Sequence, residues 1–327
     1  MQTGNVAQTV GQTPLIKIKS LSDATGCEIY GKAEFLNPGG SVKDRAALGI
    51  IEAAEHEGLL RPGYTIVEGT AGNTGIGLAT IAAQKGYKCV IVMPNNQSQE
   101  KYDTLRALGV ELVTVPPCPF ANENHFYHTA KRIAAERNQS FWADQFENTA
   151  NYKMHFKTTG PEIWEQTAGE IDAFISAVGT GGTLAGVSKF LKSKDKSIHV
   201  RLVDPFGSGL HSYLKTGQLA ATGSSITEGI GIMRLTANFK EAVIDDAVQV
   251  SDQEMISMLY HLAKHDGVLV GTSAALNVFA AYKYALENKG SGKNIVTVLC
   301  DSAVRYQSKV FNQNFLSEKA LQPEPLY

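Results

Sequence analysis

The sequence predicts an α/β protein built from two open parallel-sheet domains. Three observations carry that expectation. Short β-branched runs alternate with longer helical patterns through most of the chain, the pattern of parallel strands joined by crossover helices. The length, 327 residues, exceeds one ordinary domain and divides naturally into two of about 150 residues. Finally, 31 glycines against 11 prolines, in a chain 43% apolar and 19% charged, fit a compact fold with many tight turns.

In chain order, strands are expected at 28–34, 65–68, 88–93, 111–115, 172–178, 200–203, 268–270 and 294–299, each a short run rich in Val, Ile or Thr. Helices are expected at 42–57, 74–85, 99–108, 122–137, 152–167, 184–192, 252–264 and 274–286, where apolar residues recur at helical spacing. The helix at 252 carries its own start signal, because Ser251 and Glu254 form a capping box. No repeat, low-complexity tract or long linker interrupts the chain. Topology alone must mark a domain boundary, expected near 145–150.

Thirty basic and 32 acidic residues leave a net charge of −2, so no broad basic field exists to attract nucleic acid or anionic lipid. Residues 1–11 show no cationic start followed by an apolar run, and no later segment approaches ~18 uninterrupted apolar residues. A cytoplasmic location is expected. Cys27, Cys89, Cys118 and Cys300 are widely separated, with no histidine at metal-ligand spacing. Buried thiols and no metal site are the expectation.

Open parallel sheets bind ligands where strands end and helices begin, since the free N–H groups at helix N-termini favour anions. The turn at Gly179-Thr180-Gly181-Gly182-Thr183 offers amides and two hydroxyls to a phosphate. A nicotinamide dinucleotide site also uses such a turn, with an acid about 20 residues on, and Asp204 nearly supplies it. The third glycine of that fingerprint, however, is replaced by Leu184. A second turn, Gly69-Thr70-Ala71-Gly72-Asn73-Thr74-Gly75, opens a helix whose amides and Thr70 and Thr74 hydroxyls suit a carboxylate. Its structural alternative is a tight turn with Asn73 as a cap.

The third element is Asn37-Pro38-Gly39-Gly40-Ser41-Val42-Lys43-Asp44-Arg45, in which Ser41 is the candidate N-cap and Lys43 falls in the first helical turn. A cation is disfavoured there, so the helix dipole lowers the lysine pKa and favours the neutral amine that imine formation requires. The alternative is a surface lysine snorkelling from a helix end.

These segments, in this order, resemble the pyridoxal-phosphate enzymes of fold type II, and among them the cysteine synthase and cystathionine β-synthase family. The resemblance spans nearly the whole chain. It also takes in Gly11-Gln12-Thr13-Pro14-Leu15, Gln145-Phe146-Glu147-Asn148, Thr158-Thr159-Gly160-Pro161-Glu162-Ile163-Trp164, Glu228-Gly229-Ile230-Gly231 and Gly271-Thr272-Ser273-Ala274. It implies that Lys43 forms the Schiff base, that Asn73 meets the cofactor's 3′ oxygen, and that Gly179, Thr180, Gly181, Gly182 and Thr183 bind its phosphate. It further implies that Thr70, Ala71, Asn73, Thr74 and Gln145 line the substrate carboxylate site, that Ser273 faces the pyridine nitrogen, and that the cofactor lies in the cleft between the two domains. A smaller, mobile domain at 45–150 carries the carboxylate loop; residues 1–44 and 151–327 form the larger domain with the phosphate site. The implied cofactor is pyridoxal 5′-phosphate, and the implied assembly is a homodimer that can partner serine acetyltransferase.

Ser273 bears on the reaction. A carboxylate would hold the pyridine nitrogen protonated, as transamination requires, whereas a hydroxyl leaves it neutral and favours loss of a β-leaving group. The expected activity is a cysteine synthase that joins O-acetyl-L-serine and sulfide, with Lys43 as base at the α-carbon. L-cysteine desulfhydrase and a cystathionine β-synthase-like lyase share the same elimination and are the alternatives. Two departures concern the second substrate. Gly69-Thr70-Ala71-Gly72 stands where many synthases have Pro-Thr-Ser-Gly, and Asp301-Ser302 replaces the usual pair of serines.

Overall fold

The computed structural model describes residues 4–326; residues 1–3 of the expected leaderless start, and Tyr327, lie outside them. The chain begins with β1 (Leu15–Lys17), α1 (Lys19–Thr25) and β2 (Glu28–Lys32). It continues through α2 (Lys43–His56), β3 (Thr65–Gly69), α3 (Asn73–Lys85), β4 (Lys88–Pro94), α4 (Gln99–Ala107), β5 (Glu111–Val115), α5 (Phe126–Glu136) and β6 (Ser140–Trp142). Next come α6 (Ala150–Lys157), α7 (Thr159–Gln166), β7 (Ala173–Ala177), α8 (Gly182–Lys194), β8 (His199–Pro205), α9 (Leu210–Thr216) and β9 (Asp246–Val250). The last are α10 (Asp252–His261), α11 (Thr272–Glu287), β10 (Asn294–Val298) and α12 (Gln313–Glu318).

Two sheets result. One has four parallel strands in the order β5-β4-β3-β6; the other has six in the order β1-β2-β10-β7-β8-β9, parallel except for the antiparallel β1–β2 pair. Their central strands are buried on both faces, which is why β4 reads as a continuous apolar run from Cys89 to Met93 rather than an alternating one; β3 is equally buried but includes Glu68. The alanine-rich α11 is buried along nearly its whole length and anchors the larger core against β7, β10 and α10.

Four expectations are corrected. The run 268–270 is no strand: Leu269 is 56% exposed, and Val270 makes only an isolated bridge to Ser302. The single helix at 152–167 is two, broken at Thr158 (φ −126°), because Pro161 cannot donate and its ring would clash with the carbonyl four residues back. The helix expected from 122 starts at Phe126, capped by the His125 side chain, which accepts from the Tyr127 amide. The helix from 252 relaxes after His261 into one π turn, 262–266, and ends at left-handed Gly267. The Ser251–Glu254 capping box forms as the spacing requires. No helix among the described residues is long and apolar enough to cross a membrane.

Candidate active site

Four helix N-termini converge between the two sheets: those of α2, α3, α8 and α11. They enclose a cavity of about 180 Å³ whose lining includes Lys43, Thr70, Ala71, Asn73, Thr74, Gln145, Gly179, Thr180, Gly181, Thr183 and Ser273. Segments separated by up to 230 residues in the sequence thus line one cavity. Gly182 alone among the expected site residues lies behind that wall, where a Cβ would stand 2.1 Å from the Asn151 side chain.

Lys43 is the first residue of α2, and its amide donates to the Ser41 hydroxyl at 3.3 Å. The helix N-cap proper is Val42, one residue later than expected. The Lys43 side chain is half-buried and has no ion pair among the described residues. Burial pulls its pKa below 10.5, with Lys101 adding to the effect while Cys300 and Asp301 oppose it. The next turn of α2 is fixed from beneath. Arg45 has no exposed side-chain surface and bonds Glu34 at 2.8 Å and Glu162 at 2.6 Å, while Lys32 reaches Glu162 at 2.6 Å. The Thr13 hydroxyl donates to Glu34 at 2.6 Å, which gives the Gly11–Leu15 and Thr158–Trp164 motifs a structural purpose.

The turn from Gly179 to Thr183 is held so tightly that side chains are excluded. A Cβ on Gly179 would lie 2.2 Å from the Gly229 carbonyl, and Gly181 has φ +91° against the Phe239 backbone. The Thr180 hydroxyl accepts from Asn151 at 3.0 Å, and its carbonyl accepts from Thr236 at 2.6 Å. Thr183 meets His155 Nε2 at 3.2 Å; burial, reinforced by Arg45, pushes that imidazole down to about 3, so it is neutral at physiological pH. The turn therefore presents amides and hydroxyls without a cation.

At the opposite wall, the loop before α3 bends at Gly72 (φ +129°), where a Cβ would meet the Lys101 side chain at 2.7 Å. Gly72, not Asn73, is the N-cap. Asn73 donates to Asp301 at 2.6 Å and accepts from Arg305. Asp301 is fully buried and also accepts from Tyr306 at 2.6 Å. Ser273, in the first turn of α11, is buried on the cavity wall. Cys27 and Cys89 are buried as expected. Cys118 and Cys300 are only partly so, and Cys300 lines the cavity because it follows the last strand into the site. No group of side chains among the described residues could hold a metal.

Sequence reasoning gave no role to the residues that close the cleft. Glu228 accepts from Lys101 and Lys309 at 2.5 Å each and from the Ser98 hydroxyl at 2.9 Å. Burial pushes its carboxyl up, but the two ammonium groups outweigh that and hold it below 4.5. Arg234 stacks on Phe120, Tyr127 and Phe146 at 4.3 to 4.7 Å and pairs with Glu147 at 2.7 Å. Both clasps join one segment, 228–234, to elements around the smaller sheet. The only available signal was the Glu228–Gly231 motif itself.

Residues 6–301 match the family model described as pyridoxal-phosphate dependent enzyme. Cysteine synthase 1 of Neurospora crassa is 51% identical over 317 residues, covering 95% of this chain and 84% of that protein. Cysteine synthase of Dictyostelium discoideum is 45% identical, covering 99% and 88%. Among solved structures, the O-acetylserine dependent cystathionine beta-synthase from Helicobacter pylori superposes with a TM-score of 0.85 at 33% identity, covering 94% of this chain and 98% of that one. A hydrogen sulfide-producing enzyme from Fusobacterium nucleatum gives 0.86 at 35% identity, covering 93% and 100%.

Proposed function

The chain belongs to the fold type II family of pyridoxal-phosphate-dependent enzymes that contains the cysteine synthases and cystathionine β-synthases, and we propose that it converts O-acetyl-L-serine and sulfide into L-cysteine and acetate. One observation carries this reading: a lysine with no ion pair among the described residues, its charge disfavoured by burial, shares a single cavity with two turns at helix N-termini. The residues present suit the cofactor. The glycine turn has room for a phosphate only because side chains are excluded there, Lys43 is the amine within the same cavity, and Ser273 offers an uncharged partner.

Lys43 would hold the cofactor, Gly179 to Thr183 its phosphate, Asn73 its 3′ oxygen and Ser273 its ring nitrogen. Bound there, pyridoxal phosphate supplies an electron sink for charge developing at the substrate α-carbon. Everything else falls to the protein. The amides of Ala71, Asn73 and Thr74 at the start of α3 receive the substrate carboxylate and orient the α-carbon, while those of Thr70 and Gly72 are bonded to the Val92 carbonyl and the Thr70 hydroxyl. Lys43 Nζ, as a neutral amine, would take the proton from that carbon. The Cβ–O bond then breaks with departure of acetate, a Cβ–S bond forms with hydrosulfide, and Lys43 Nζ returns the proton to the α-carbon. Asp301 and Arg305 keep the Asn73 carboxamide in a single orientation.

The reading extends to organisation. Residues 45–150 form the smaller, mobile domain with the carboxylate loop, and 1–44 with 151–327 form the larger one. A cytoplasmic homodimer, with serine acetyltransferase as a protein partner, follows from the family resemblance; sedimentation of the protein alone and with that enzyme tests the assembly.

Product analysis tests the activity. With O-acetylserine and sulfide the expected products are cysteine and acetate. Release of sulfide from cysteine without any synthesis would replace the reading with a desulfhydrase. Ala71, which lacks the serine hydroxyl of many synthases, biases the balance. An added hydroxyl contributes about 0.5 to 1.5 kcal/mol, up to roughly tenfold in the lifetime of a bound species. Ala71→Ser is expected to lower the pyruvate-to-cysteine ratio at saturating O-acetylserine and fixed sulfide; an unchanged ratio contradicts that role. Ser273→Asp is expected to retain cofactor yet slow β-elimination, because a buried carboxylate favours a protonated ring. An unchanged rate with cofactor bound would remove Ser273 from the ring nitrogen.

A further inference from the structure

Gln145 lines the cavity between the carboxylate loop and the glycine turn, and its side-chain hydrogen bonds go to protein groups. Its Nε2 donates to Glu68 Oε1 at 3.2 Å and to the Gly69 carbonyl at 3.0 Å, which commits both amide protons. Its Oε1 accepts the Thr74 hydroxyl proton at 2.5 Å. In this arrangement the Gln145 carboxamide holds the Thr74 hydroxyl in place beside the free α3 amides. The Gln145 carbonyl also accepts from Asn151 at 2.9 Å, and Asn151 in turn donates to Thr180 in the glycine turn.

What fixes Gln145 itself is Glu68, in β3. It has no exposed surface, and it accepts from the Gln145 backbone amide at 3.2 Å as well as from the side chain. Burial, with Asp144 beside it, pushes this carboxyl up to about 8. Near neutral pH it is therefore largely uncharged, so no anion lies beneath a loop that must receive one.

We propose that Glu68 is a positioning residue for the amino-acid substrate: it holds the Gln145 carboxamide, and through Gln145 and Thr74 it sets the carboxylate loop, residues 70–74. The proposal rests on the function given above only for the identity of the substrate. Its mechanism is geometric.

Glu68→Gln keeps the shape and removes the possibility of charge, but its amide nitrogen must face one of the two Gln145 donors. One acceptor is lost. The expected result in the cofactor-loaded enzyme is a KM for O-acetylserine raised roughly five- to tenfold, the size of one ordinary hydrogen bond, with kcat within about twofold. The cofactor absorbance should stay as in wild type, and amide hydrogen exchange should quicken at 70–74 but not across β4 and β5. Thr74→Val, which removes the other end of the same chain, should also raise KM. The double variant should be no worse than the more affected single one, because both act through Gln145. An unchanged KM with unchanged loop exchange in Glu68→Gln, or effects that multiply independently in the double variant, would overturn the proposal. Exchange that quickens throughout the smaller sheet with KM unaltered would also overturn it, since Glu68 would then be a core residue only. If the wild type does not turn over O-acetylserine, the functional reading fails. The loop exchange, and the binding of L-cysteine by each variant, still decide the part played by Glu68.

Discussion

Replacing Lys43 with alanine is expected to lower turnover by roughly two to four orders of magnitude, the contribution of a positioned acid–base group, and to remove the visible absorbance of lysine-bound cofactor. The fold should survive. The Lys43 side chain has no ion pair among the described residues and lines a cavity rather than the core, so its loss leaves no partner unsatisfied. Thermal unfolding of the cofactor-free variant close to that of cofactor-free wild type would separate loss of chemistry from loss of structure. Retained absorbance with retained turnover would show that another amine does the work.

Arg45, two residues on, should behave in the opposite manner. Arg45→Ala removes the guanidinium that neutralises Glu34 and, with Lys32, Glu162. Glu34 would be left buried and unpaired, at a cost of about 3 to 5 kcal/mol. That loss is readable as a lowered denaturation midpoint. Its pH dependence has a definite sign. In wild type, burial pushes Glu34 and Glu162 up, but the neighbouring cations outweigh it, holding Glu34 below 4.5 and Glu162 at about 2. Both carboxyls have folded pKa values below their unfolded ones, so their contribution is complete above about pH 4.5 and is lost as the pH falls towards 2. In the variant, Glu34 has its folded pKa raised, so its penalty is greatest at neutral pH and shrinks on acidification. The stability difference between wild type and variant should therefore narrow from pH 7 to pH 3. A constant difference would mean that Arg45 contributes packing rather than charge.

The contrast between these neighbours shows what the sequence reveals. Lys43 was legible because its oddity is local: a cation at a helix N-terminus, after a turn of small residues, beside two further glycine turns at strand ends. The strand and helix sequence was legible for the same reason, since the buried parallel strands β3, β4, β7 and β10 are each built on a short run of adjacent apolar residues. The short or edge strands β1, β6 and β9 bury little on either face, and their side chains carry no such pattern. Val268 to Val270 failed in the other direction. Three apolar residues resembled a strand, yet Leu269 faces outward and no ladder forms. The break between α6 and α7 had a visible cause in Pro161, which the periodicity of the flanking residues masked.

The supporting network was beyond reach for a different reason. Glu68, Gln145, Asn151 and Thr180 meet through hydrogen bonds spanning 6 to 77 positions, and Asn73 meets Asp301 across 228. Nothing in the local composition of β3 distinguishes Glu68 from a strand residue facing solvent. Only the pairing of β3 with β6, which brings the turn after β6 alongside it, makes Glu68 a buried partner of Gln145. The Asp301-Ser302 departure was visible, but its consequence was not, because the contact of Asp301 with Asn73 depends on how the two sheets face each other.

The central claim is that Lys43 carries the cofactor in the cavity between the two sheets. Borohydride reduction of the cofactor-loaded enzyme, followed by proteolysis and mass mapping, tests it most directly. The account predicts one reduced adduct, on the peptide containing Lys43, and none in Lys43→Ala. An adduct on Lys101, or on any other lysine, with Lys43 unmodified would contradict it.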